Sequence, residues 1–267
     1  MTLAVGYLVA LIALRLFESH LVFFPDVPGR LDGDWNPPEL SVEDVWLNTS
    51  DGVKLHAWWI PAKNAHFTFL AFHGNAANIA NRADIYRFLA ATPANVLAVE
   101  YRGYGKSEGS PSEAGVYRDA QAGYQYLVTQ RGIPPEQIIS YGQSLGTAAA
   151  TDLASQKDVA GLILEAPFPS ASVVARQSFW FLPGVSLLTY GQFDTGKKIQ
   201  QVKAPVMIVH CTEDPVIPFA MGQAVYQAAR LPKTFVEINA QCHEEASIYS
   251  PARYRRALTA FLASLGN

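Results

Sequence analysis

The sequence has little charge and no place where one sign of it collects. Of 267 residues, 16% are charged, the net charge is −3, and no stretch gathers lysine and arginine. A nucleic-acid partner, which needs a basic stripe, is therefore not expected. Cysteine is nearly missing: Cys211 and Cys242 are the pair present. Two are too few to staple a small secreted scaffold, and their spacing is not that of a zinc site, so no metal is expected. Internal repeats, low-complexity tracts and linker-like breaks between halves are also lacking. A chain of this length without a break reads as one large domain with room for a sizeable core.

No uncharged apolar run reaches the roughly 20 residues that cross a bilayer. The nearest candidate is the N-terminus, where Thr2 to Leu14 is uncharged and Arg15 interrupts. Leu16-Phe17 and Leu21-Val22-Phe23-Phe24 then follow around Glu18, Ser19 and His20. This run spans only if Arg15 snorkels to the headgroups. Residues 1–24 are expected to be a membrane anchor or in-plane helix. A cleaved signal and a helix packed on the domain or on an oligomer partner remain as alternatives. The signal reading lacks a basic n-region and a small-x-small cleavage site. Arg15 favours a cytoplasmic domain, on a single charge. The side of the membrane and the oligomeric state stay open.

Residues 25–40 hold four prolines and two glycines and read as an extended tether to a domain spanning 41–267. Val42 to Leu47 and Val53 to Ile60 alternate as strands around Ser50-Asp51-Gly52, a hairpin. Phe67 to Phe72, Val96 to Val99, Ala160 to Leu164 and Val206 to Val209 are short apolar runs suited to buried parallel strands. Helical patterns run from about Ile79 to Leu89, Ser112 to Gln130, Ala220 to Ala229 and Pro251 to Leu265. Residues 168–200 break the alternation with Phe179, Trp180, Phe181, Leu182, Leu187, Leu188 and Tyr190 around Pro183-Gly184. The expected fold class is α/β: a mostly parallel central sheet with helices on both faces and a short apolar lid insertion. In such sheets sites lie beyond the carboxyl ends of the strands.

One stretch fits that position above all others. Ile138-Ile139 leads into Gly142-Gln143-Ser144-Leu145-Gly146, and a small-residue helix follows. A tight strand-to-helix turn holds a serine hydroxyl clear of its neighbours, and glycines two residues either side avoid a Cβ collision. Composition alone would give about 0.1 such pentapeptides in the chain, so chance is a weak explanation.

A serine needs a base, and in this architecture the acid and then the histidine follow the nucleophile. Two histidines come after Ser144. His210 ends an apolar strand, where a core role is expected. His243 lies in the loop after Phe235 to Ile238 and is the expected base and acid. Asp214, shortly after Val209, is the expected carboxylate, with Glu213 and the distant Asp194 as competitors. The oxyanion donors are expected at the N–H of Leu145 and of Asn75, with Ala76 the alternative to Asn75. Gly74 would let the backbone turn a donor inward. His73 and Arg102 are expected to brace loops. Phe179, Trp180, Phe181 and Leu187 are candidate walls of an acyl pocket, or packing for the insertion.

Together these motifs resemble the α/β-hydrolase superfamily: His73 to Asn78, Tyr101 to Gly109, Gly142 to Gly146, Thr212 to Pro218 and Cys242-His243, in order. Within it the chain resembles the membrane-anchored bud-emergence-type subgroup over roughly residues 40–265. The resemblance implies an α/β-hydrolase fold and cofactor-free serine hydrolase chemistry on acyl esters or thioesters. The substrate is left open among esterase, lipase, thioesterase and depalmitoylase. Cys211 and Cys242 depart from the family, standing where relatives commonly carry glycine. They are either two unrelated buried thiols or a disulfide between the acid and histidine loops. The bond would point to an oxidising compartment. A peptidase would need an acidic amine anchor, which the insertion lacks. Ser144 argues against dehalogenase or epoxide-hydrolase chemistry, which needs a carboxylate there. A membrane-tethered binding protein without activity is the remaining rival.

Overall fold

The computed structural model describes residues 6–7, 21–181 and 192–266. The antiparallel hairpin of β1 (Glu43–Asn48) and β2 (Lys54–Ile60) forms one edge of the sheet, around Gly52 at φ +83°. Then come β3 (Phe67–Phe72), β4 (Ala94–Val99), β5 (Ile138–Gln143), β6 (Gly161–Glu165), β7 (Val206–Cys211) and β8 (Lys233–Ile238). The order across the sheet is β1-β2-β4-β3-β5-β6-β7-β8, parallel from β4 to β8.

The continuous apolar runs have the reason expected of them: both faces of each strand are covered. Leu70 and Phe72 of β3 pack into one layer with Val116, Leu127, Leu153 and Val225. Phe69 and Ala71 pack into the other with Leu89, Tyr254, Leu258 and Phe261. The first layer is built by helices Glu113–Thr129, Leu145–Gln156 and Phe219–Ala228; the second by Ala83–Ala90 and Pro251–Leu265. Ser112 caps its helix by accepting from the Gly115 N–H, and Pro251 opens the last one at a position that needs no donor.

From β3 the chain steps outward to β4, then crosses back to place β5 on the other side of β3. This reversal leaves a crevice beyond the ends of β3 and β5, the place where open α/β sheets bind ligands. The loop after β3 begins at His73, and the turn after β5 carries Ser144.

Among the described residues no helix is long and apolar enough to cross a membrane. Most of the run expected as an anchor lies outside the described residues. The proline-rich stretch has no helix or strand, yet it does not hang free of the domain. Leu40 is buried, as is Phe23 just ahead of the stretch, and Arg30 donates to the carbonyls of Gly105 and Ser107 at 3.0 and 2.6 Å. The insertion contributes helices Ala171–Ser178 and Thr195–Lys198, with 182–191 outside the described residues. Of the two readings of the cysteines, the structure has the bond: Cys211 at the end of β7 is joined to Cys242, Cα–Cα 5.6 Å.

The glycines around Ser144 are required by close approach. A Cβ on Gly142 would strike the Gly146 carbonyl, and one on Gly146 would strike the Phe72 and His73 carbonyls at the end of β3. Backbone inside a sheet cannot yield. Gly146→Ala should destabilise the fold by about 3 kcal/mol, read as a lower urea midpoint, or prevent folding. Gly266→Ala, where nothing lies within 4 Å, should stay within about 0.5 kcal/mol.

Candidate active site

Ser144 sits on the turn between β5 and its helix at φ +49°, ψ −116°, a left-handed conformation unfavourable for a residue with a Cβ. Its N–H donates to the Glu165 carbonyl at 2.9 Å, which ties the turn to β6. The residue is only 6% exposed. His243 Nε2 lies 2.9 Å from Ser144 Oγ, and His243 Nδ1 lies 2.7 Å from Asp214 Oδ2. The structure thus brings together the three side chains expected from their order in the sequence.

Each is held from behind. Asp214 Oδ1 accepts the N–H groups of Val216 and Ile217, both at 2.8 Å. Burial alone would push the Asp214 carboxyl up, but hydrogen bonds from His210 and His243 and the Ile217 N–H hold it well below the ordinary carboxylate range. Burial pulls His243 down, and the Asp214 hydrogen bond with the nearby Glu244 and Glu245 charges lifts it above the ordinary imidazole value. His210 is fully buried at the end of β7, where its Nε2–H donates to the Ile217 carbonyl at 2.9 Å, the core role expected. Glu213 faces solvent, and Asp194 caps the Lys197 N–H, so neither competitor meets His243. The Cys211–Cys242 bond joins the acid loop to the histidine loop one residue before His243.

Asn75 lies in the loop after β3 and Leu145 opens the helix after Ser144. Among the described residues no protein group accepts from either N–H. His73 is buried beneath this loop, with Nδ1–H to the Gly74 carbonyl at 2.8 Å and Nε2 at 3.0 Å from Glu100. Arg102 braces its own loop on Asp119 at 2.8 Å and on Asp51 at 2.8 and 3.0 Å. Gly74 needs a different explanation from the one expected: its φ is not positive, and a Cβ there would collide with the Glu244 carboxylate. Of the candidate pocket walls, Phe179 is half-buried, while Trp180 and Phe181 are 80% and 60% exposed and touch each other at the insertion surface. Leu187 lies outside the described residues.

Two groups near the site were not anticipated. Arg82 pairs with Glu244, linking the segment after the Asn75 loop to the residue following His243. Glu165, fully buried at the end of β6, receives the Tyr141 hydroxyl at 2.7 Å, Gln143 Nε2 at 3.3 Å and the Ala246 N–H at 3.1 Å. It therefore bridges the strand before the serine and the helix after the histidine. An isolated glutamate at a strand end was the only signal, and its partners lie far away in sequence.

The family model described as serine aminopeptidase, S33, matches residues 63–186. The α/β hydrolase domain-containing protein WAV2 of Arabidopsis thaliana is 34% identical, over 96% of this chain and 91% of the relative. The human α/β hydrolase domain-containing protein 17B is 32% identical, over 84% and 76%. Among solved structures, a Pyrococcus furiosus esterase superposes with TM-score 0.74 at 21% identity, covering 92% of this chain and 98% of its own. An α/β hydrolase from Vibrio vulnificus gives 0.70 at 24%, covering 82% and 81%.

Burial raises the Glu165 carboxyl from its ordinary 4.5 to about 7. A carboxyl raised on folding stabilises fully below its unfolded value, and that contribution is lost as pH rises to the folded one. Glu165→Gln should therefore gain stability relative to the unaltered protein between pH 5 and 8, by about 3 kcal/mol at the upper end. Urea unfolding at several pH values checks this; parallel curves would contradict it.

Proposed function

Because this chain belongs to the α/β-hydrolase superfamily, we propose that it is a serine hydrolase cleaving carboxylic ester or thioester bonds through an acyl-enzyme on Ser144. The observation that carries this reading is the hydrogen-bonded series Ser144 Oγ, His243, Asp214, at 2.9 and 2.7 Å. Ser144 attacks the acyl carbonyl as His243 Nε2 takes the hydroxyl proton. The carbonyl oxygen becomes an oxyanion received by the N–H groups of Leu145 and Asn75, helped by the helix start. The carbon–leaving-group bond then breaks, and His243 returns the proton to the departing alcohol or thiol. Water, deprotonated by His243, repeats the attack and releases the acid with Ser144 restored. Asp214 keeps Nδ1 protonated and stabilises the imidazolium.

Lipophilic acyl groups fit the apolar insertion with its exposed Trp180 and Phe181. The uncharged run from Thr2 to Leu14 supports a tether that holds the domain at a membrane. The Cys211–Cys242 bond supports an oxidising compartment over the cytoplasmic side suggested by Arg15. The aminopeptidase name of the family model motivates a second reading. It lacks an amine anchor: Asp194 is the one acidic residue in 168–200, and its carboxylate is engaged by Lys197.

p-Nitrophenyl esters from acetyl to octanoyl test the substrate class, with kcat/KM expected to rise along the series; a strict acetyl preference would contradict a lipophilic acyl site. Activity should fall as pH drops through the His243 value, which lies above the ordinary 6.5. Asp214→Asn should lower kcat about 10⁴-fold and move that limb downward. An unmoved limb would remove Asp214 from the mechanism.

A further inference from the structure

The N-terminal segment meets the rest of the molecule at an unexpected place. Where it enters the domain, its backbone pairs with the loop that carries Asn75, in a parallel bridge between Phe24 and Ala76. The Phe24 N–H donates to the Asn75 carbonyl at 2.9 Å. The Asn75 side-chain amide donates to the Val22 carbonyl at 3.0 Å. Two residues on, the Ala77 N–H donates to the Val27 carbonyl at 2.8 Å. The Tyr104 hydroxyl completes the arrangement by donating to the Asn75 carbonyl at 2.7 Å.

These bonds matter because the loop is not self-supporting. Ala77 is held at φ +61°, where a residue with a Cβ is unfavourable, so neighbouring contacts must impose the conformation. The Asn75 N–H lies in the peptide plane of the Gly74 carbonyl, which the His73 ring N–H holds at 2.8 Å, while the bonds to the Asn75 carbonyl and side chain fix the other side of the same Cα. The strap itself is fixed by Phe23, which is 6% exposed and packs edge-on against Phe193 at the base of the insertion, 5.9 Å between ring centres. Segment, loop and insertion thus meet at one point beside Ser144's crevice.

We propose that residues 22–27 are a positioning element for the oxyanion site: by binding the Asn75 carbonyl and side chain, and Ala77 through its N–H, they fix the Asn75 Cα on which the aim of its N–H depends. This rests on the serine hydrolase reading. Its consequence is that the segment ahead of the domain acts on turnover as well as on location. A stabilising donor misaimed by part of an ångström loses transition-state affinity while ground-state binding is kept.

The experiment uses the full chain with Asn75→Ala, which keeps the backbone N–H but loses the bond to Val22, together with Phe23→Ala and Phe23→Leu. On p-nitrophenyl butyrate, Asn75→Ala and Phe23→Ala should lower kcat about 10- to 100-fold with KM changed less than about threefold. Affinity for an alkyl trifluoromethyl ketone, whose serine adduct carries the oxyanion, should fall by the same factor as kcat. Phe23→Leu, which refills the buried site, should recover most of both. A merely structural strap would lower the melting temperature without linking kcat to inhibitor affinity. An active parent protein whose variants keep kcat and inhibitor affinity overturns this inference alone. A folded parent that neither turns over the ester nor binds the ketone overturns the hydrolase reading, and this inference with it.

Discussion

The left-handed backbone at Ser144 is the constraint on which the rest of the molecule depends. A residue with a Cβ held at φ +49° costs on the order of 1–3 kcal/mol, and it persists only where the surroundings leave no alternative. Here β3 and β6 enclose the turn from both sides. The Ser144 N–H is taken by the Glu165 carbonyl, and Gly146 packs against the end of β3 with no room for a side chain. The strain projects the hydroxyl into the crevice created by the strand reversal between β4 and β5. Sheet order, glycine placement and the position of Ser144 are therefore one fact in three forms.

Around that fixed point, loops distant in sequence are tied to one another rather than left to packing alone. The acid and histidine loops follow the neighbouring strands β7 and β8 and share a disulfide. The histidine loop is linked to the segment after the Asn75 loop by Arg82 and Glu244, and to the strand before Ser144 by Glu165. Catalytic geometry needs atoms held to within about half an ångström, and loops supply that only when cross-braced. The charges also have opposite environments. Asp214 is held ionised by donors on both oxygens, while Glu165, sealed away from solvent, is pushed towards neutrality.

Much of this could be read before the fold was seen, and the reasons are local. Strands buried on both faces are nearly continuous apolar runs, so Phe67–Phe72 and the Val206 to Val209 part of β7 announced themselves. Pro251–Leu265 showed its helical stripe at Tyr254, Leu258, Phe261 and Leu262. Ser144, Asp214 and His243 were legible because each directly follows such a run, in a fixed order. What escaped depended on backbone hydrogen bonds or on partners far apart. Residues 22–27 looked like the end of an anchor and the start of a tether, because composition records hydrophobicity and proline but not where a carbonyl points. Gly74 looked like a turn glycine, whereas the Glu244 carboxylate, 170 positions later, occupies the space of its Cβ. Trp180 and Phe181 were singled out because they lie in a short apolar insertion, but composition does not show which way a side chain faces, and both are exposed.

The central claim is that Ser144 is an activated nucleophile. Fluorophosphonate labelling of the full-length protein, followed by peptide mass mapping and with Ser144→Ala alongside, tests it most directly. The account predicts one adduct, on the peptide carrying Ser144, and none in the alanine variant. A folded protein that stays unlabelled, or that labels equally well without Ser144, would contradict it.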